Sequence, residues 1–88
     1  MSYRLEAGSA IEEWAERDRP RDELRRRVLA WLMDLAENPE AVSSRDWEYR
    51  GLPVRSALVP GTYVSVRYVV LADQALVWVA QIKTIPFM

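Results

Sequence analysis

The spacing of apolar residues along the chain changes period twice. Tyr3-Arg4-Leu5-Glu6-Ala7 alternates apolar and charged residues and stops at Gly8, the pattern of a short, half-buried edge strand. The spacing then becomes three and four: first Ile11, Trp14 and Ala15, then Leu24, Val28, Trp31, Leu32 and Leu35, with Leu29, Met33 and Ala36 widening the second stripe. Two helices are predicted. Ser9 followed by Glu12 has the spacing of a capping box, so the first helix is expected to begin there, and Asp18-Arg19-Pro20 stops it because the residue before a proline avoids helical dihedrals. The second is expected from about Pro20 to Asn38, where Asn38-Pro39 ends it. Asp22 to Arg26 and Glu23 to Arg27 offer i,i+4 acid-to-base pairs along it.

Residues 40 to 53 hold no sustained period and carry Ser43-Ser44, Asp46, Gly51 and Pro53, which reads as a connector with Trp47 and Tyr49 as its apolar anchors. After it the period is two. Strands are predicted over about Val54 to Val59, Tyr63 to Leu71 and Ala75 to Ile85, separated by Pro60-Gly61 and by Ala72-Asp73-Gln74. In the middle one Val64, Val66, Tyr68 and Val70 form the core face, while Tyr63, Ser65 and Arg67 point the other way. The last strand is apolar on both faces, as expected of a central strand or of one whose second face is covered. The pattern predicts an α+β fold in the order β-α-α-β-β-β: a short N-terminal strand, an αα-hairpin and a three-strand antiparallel meander with the helices packed on one face of the sheet.

Length and composition narrow this picture. Eighty-eight residues that are half hydrophobic and 28% charged support one core, so residues 1–88 are expected to form a single domain. The chain has neither Cys nor His, which excludes disulfides and thiolate or imidazole metal sites; no metal or cofactor is expected. The opening Met1 to Glu6 has no apolar signal core and no apolar run approaches the ~20 residues of a membrane span, so a cytoplasmic protein without a membrane partner is expected. Net charge is −1 but unevenly placed: residues 1–18 carry two arginines against five acids, whereas 54–88 carry Arg55, Arg67 and Lys83 against Asp73 alone. The sheet end of the chain is basic.

Three segments carry a family likeness: Leu32-Met33-Asp34-Leu35-Ala36-Glu37-Asn38-Pro39, then Tyr49-Arg50-Gly51-Leu52-Pro53-Val54-Arg55, then Pro60-Gly61-Thr62-Tyr63-Val64-Ser65-Val66-Arg67-Tyr68-Val69-Val70, followed by the apolar Val77-Trp78-Val79-Ala80-Gln81-Ile82. In this order and spacing, across nearly the whole chain, they resemble the RelE/ParE superfamily of toxins from bacterial type II toxin–antitoxin modules. The resemblance implies a growth-inhibiting toxin neutralised by a cognate antitoxin, with either ribosome-bound mRNA or DNA gyrase as target. In the family's ribonucleases an Arg usually follows the Tyr of the middle strand. Here Ser65 holds that position and Arg67 stands two residues on, on the same face. The family's basic C-terminal segment is represented by Lys83 alone.

Transfer of a phosphate to a neighbouring 2′-hydroxyl needs a base, cations on the crowded phosphate and an acid for the leaving oxygen. Arg55, Arg67 and Lys83 stand at odd positions of three successive strands, so alternation lets them converge on one face as catalytic candidates with Tyr63 beside them; Lys83 or Glu48 would have to move the proton. Tyr63, Arg50 and Trp47 are the candidates for substrate contact. The competing reading makes the three cations solvated residues of an open sheet face. The cluster Arg19, Arg21, Arg25, Arg26 and Arg27 reads better as a solvated helix face than as a nucleic-acid site, and Trp14, Trp31, Tyr68 and Trp78 as packing residues. No Gly-rich phosphate loop or Ser/His/Asp arrangement is present. The alternative to a toxin is a non-catalytic module of the same fold that acts by homodimerisation or by binding another protein.

Overall fold

The computed structural model describes residues 2–41, 45–49 and 51–86, with backbone only for 41 and 45–49. The element order is β1 (Arg4–Glu6), α1 (Ala10–Asp18), α2 (Asp22–Glu37), a 3-10 turn (Pro39–Ala41), β2 (Arg45–Tyr49), β3 (Leu52–Leu58), β4 (Val64–Leu71), a second 3-10 turn (Ala72–Gln74) and β5 (Leu76–Thr84). All strands join one sheet in the order β1-β5-β4-β3-β2, antiparallel except for the parallel pair β1–β5. The α+β class, the helical hairpin and the C-terminal meander are those the residue pattern predicts. The segment read as a connector is different: Arg45–Tyr49 pairs antiparallel with β3, with Trp47 opposite Val54. An edge strand needs neither an apolar run nor strict alternation, so a sequence with three charges in five residues hides one well.

Burial explains the layering. Val28, Leu32 and Leu35 of α2 and Trp14 of α1 are buried against Val64, Val66, Tyr68, Val77, Val79 and Ile82 of the two central strands. Trp31 meets Tyr68 edge to face, ring centres 6.4 Å apart. Met33 lies off this stripe and is 63% exposed, so the apolar face of α2 is narrower than its spacing suggested. Strand β5 is central over its first third, as its two apolar faces imply: Val77 and Val79 point to the helices while Leu76 is buried on the opposite side. Trp78, on that opposite side, remains 40% exposed.

The helix ends depart from expectation in two places. Ser9 has φ −96° and ψ 5°, outside the extended region that aims a capping oxygen at the helix amides, and its hydroxyl instead donates to Glu13 Oε1 at 3.1 Å. No capping box forms. Arg19 takes a left-handed φ of 46°, and α2 begins at Asp22 rather than Pro20, so the inter-helix turn absorbs the proline. Neither predicted i,i+4 pair on α2 closes as an ion pair. The β3–β4 turn is the predicted one: Thr62 N–H donates to the Val59 carbonyl at 3.1 Å around Pro60-Gly61, and Gly61 has φ +76°, the left-handed position that a type II turn requires. No helix of the described residues is long and apolar enough to cross a membrane.

Core and surface positions of α2 are sharply separated by this packing. Leu32→Ala is expected to cost about 2–5 kcal/mol in urea unfolding, because a fully buried side chain leaves a cavity, while Met33→Ala should change stability by less than about 0.5 kcal/mol.

Candidate functional site

One face of the sheet is covered by the helices, and the other carries the candidate chemistry. Register decides which side chains share it. Across β3 and β4, Leu58 lies opposite Ser65 and Ser56 opposite Arg67, so even-numbered residues of β3 stand beside odd-numbered residues of β4. Across β4 and β5, Ser65 lies opposite Lys83 and Arg67 opposite Gln81, odd beside odd. Between Arg67 and Tyr68 the register slips by one residue at Ala80. This bulge lets Val79 and Ile82 both face the core while Gln81 and Lys83 face outward.

The outcome is a depression of about 170 Å³ on the open face, lined by Ser65, Arg67, Gln81, Lys83, Ile85 and Pro86. Ser56 Oγ and Ser65 Oγ are 3.4 Å apart at its side. Exposed Ile85 lines it, exposed Leu58 lies opposite Ser65 on the neighbouring strand, and the Tyr63 carbonyl accepts from the Ile85 amide at 2.7 Å. Two cations, a serine pair and a carboxamide in one shallow basin suit an oxyanion such as a phosphodiester. Arg67 and Lys83 thus meet as the alternation implied.

Arg55 does not join them. It lies opposite Tyr68, on the helix-bearing face, and its Nη2 donates to Glu40 at 3.1 and 3.3 Å. Odd positions of β3 and β4 face opposite ways because the Pro60-Gly61 loop sets an odd-to-even register between the two strands. Trp47 is placed by its backbone opposite Val54, but its side chain and that of Glu48 lie outside the described residues, as does all of Arg50. Of the arginine cluster, Arg21 and Arg27 line a second, larger cavity of about 320 Å³ with Leu24, Gly61 and Tyr63, between the start of α2 and the β3–β4 turn. Among the described residues no group of three or more His, Cys, Asp or Glu side chains is placed to hold a metal ion.

Sequence reading missed three residues that act on this strand from behind. Trp14 Nε1 donates to Thr84 Oγ1 at 2.9 Å, Arg17 Nη2 donates to the Ile82 carbonyl at 2.6 Å, and Asp18 Oδ2 accepts from the Thr84 amide at 2.9 Å. Arg17 Nε and Asp18 Oδ1 close the group at 3.0 Å. The contacts span more than sixty residues of chain and leave no local pattern to find. The Arg17 hydrogen bond, helped by the Thr84 amide and hydroxyl, holds the Asp18 carboxyl below its usual range against the opposing effect of partial burial.

No protein-family model matches the sequence, and neither does any curated protein. Solved structures do resemble it, and the class they define is the RelE fold. A chain of the toxin–antitoxin complex RelBE2 from Mycobacterium tuberculosis aligns over 97% of this chain and 100% of its own, with TM-score 0.78 at 14% identity. The archaeal RelE–RelB complex from Pyrococcus horikoshii gives 0.72 at 19% identity, covering 96% of both chains. The isolated RelE toxin of E. coli gives 0.70 at 20% identity, covering 99% of this chain and 88% of that one.

A lowered carboxyl pKa has a defined signature in stability. Asp18 binds its proton less readily folded than unfolded, so its contribution is fully present above the unfolded value near 3.9 and is lost as pH falls through the lower folded value. Asp18→Asn should therefore be less stable than the parent at neutral pH, with the gap narrowing once pH drops below about 4, as read from urea midpoints across a pH series.

Proposed function

We propose that this chain is the toxin of a type II toxin–antitoxin module, arresting growth until a cognate antitoxin binds it. The supporting observation is the full-length likeness to RelE, which has been solved both as a free toxin and in complex with RelB. The exposed apolar side chains Met33, Leu52, Leu58 and Ile85 give a protein partner surface to cover.

For the target we favour RNA. A phosphodiester seated in the depression would lie between the Arg67 guanidinium and the Lys83 ammonium, whose charges offset that building on the phosphate as a 2′-hydroxyl attacks. Ser65 and Gln81 supply further hydrogen bonds. A second reading, gyrase inhibition, is favoured by one specific feature: among the described residues, those lining the depression include neither a carboxylate nor an imidazole to move the proton.

Induced alone in a bacterial host, the protein should stop growth, and co-expression of the neighbouring antitoxin frame should restore it; unimpaired growth with soluble toxin present would sink the assignment. Replacing Arg67 and Lys83 together by Ala should lower RNA cleavage on translating ribosomes by about a hundredfold or more and relieve toxicity. Toxicity that survives the double change, with loss of supercoiling activity in treated gyrase, would support the gyrase reading instead.

A further inference from the structure

The edge of β5 that faces β1 is only partly paired. β1 lies alongside Leu76, Val77 and Trp78, and its register follows the parallel pattern in which Arg4 N–H donates to the Ala75 carbonyl at 2.7 Å. Beyond Trp78 no strand of the described residues continues this edge. The bulge at Ala80 then changes which backbone groups point outward along it, and these are the Ile82 carbonyl and the Thr84 amide.

That carbonyl and that amide flank Lys83. In a parallel ladder they are the acceptor and donor that a single residue of a neighbouring strand would satisfy, giving its own N–H to one and its own carbonyl to the other. Here the same slots are filled by side chains. Arg17 Nη2 takes the place of the strand N–H at 2.6 Å from the Ile82 carbonyl, and Asp18 Oδ2 takes the place of the strand carbonyl at 2.9 Å from the Thr84 amide. Arg17 Nε and Asp18 Oδ1, 3.0 Å apart, join the two halves, and Trp14 fixes Thr84 Oγ1 from the same helix. On its other edge Lys83 is paired with Ser65 of β4.

We infer that Arg17 and Asp18 act as a surrogate strand residue and are positioning residues for Lys83, holding the end of β5 extended so that the ammonium stays in the depression beside Arg67. A strand end paired on one edge only opens more readily than one held on both, and opening there moves one of the two cations of the basin. Neither side chain approaches the depression itself, so their effect on binding passes through the backbone of residues 82–84. The inference rests on the reading of the depression as a phosphate site.

The test is binding of a short fluorescein-labelled single-stranded RNA, followed by anisotropy at low salt, with amide exchange of Thr84 measured by NMR. Asp18→Ala should speed Thr84 exchange and weaken binding to within about twofold of Lys83→Ala, and adding it to Lys83→Ala should cost nothing more, since both changes remove the same placed charge. Asp18→Asn keeps an acceptor for the Thr84 amide and should restore most of the binding. Leu32→Ala, destabilised through the core alone, should bind RNA like the parent, which separates positioning from general loss of stability. Binding by Asp18→Ala equal to the parent's while Lys83→Ala binds weakly would overturn the positioning role, as would fully additive losses in the double variant. Undiminished binding by Lys83→Ala would instead bring down the phosphate reading on which the role depends.

Discussion

Strand β5 has to bury Val77, Val79 and Ile82 beneath the helices, and strict alternation cannot do that, because Val79 and Ile82 stand three positions apart and would fall on opposite faces. The extra residue at Ala80 resolves the conflict, and much of the rest follows from it. It turns Gln81 and Lys83 toward the open face, it brings Lys83 level with Ser65, and it sets which backbone groups look out along the free edge. Core packing in the first half of the strand and the placing of charge in the second are thus one problem with one local solution.

The open face is divided along its length. At one end Val54, Val69 and Leu76 are buried although they sit opposite the helical side, and Trp78 lies near Gly8, where any Cβ would come within 3.3 Å of the indole. At the other end stand Ser56, Ser65, Arg67, Gln81 and Lys83. The apolar end gives the sheet a second, smaller layer of packing and stiffens the floor on which the polar end is built.

What could be read from residues alone follows the reach of each signal. The faces of β4 and α2 were legible, because Val64, Val66 and Tyr68, or Val28, Leu32 and Leu35, repeat at the period of their own element. The Pro60-Gly61 turn was legible from its chemistry. Strand β2 was not, because an edge strand is specified by its neighbour's register rather than by its own apolar pattern. The placing of Arg55 was misread for a related reason: alternation within each strand is written in the sequence, but the phase between two strands is set by loop geometry, and one step of phase moves a side chain to the opposite face. The contacts of Trp14, Arg17 and Asp18 with the end of β5 are purely tertiary.

The parallel pairing of Arg4 with Leu76 ties the two ends of an 88-residue chain into adjacent strands. Contacts this distant in sequence slow folding, since nearly the whole chain must be ordered before they form. On a translating ribosome they carry a further requirement: among the described strands β1 pairs with β5, so that edge of the sheet closes only after β5 has left the exit tunnel. Until then the first strand and the αα-hairpin wait with their apolar stripes uncovered, a folding intermediate whose lifetime is set by the speed of synthesis.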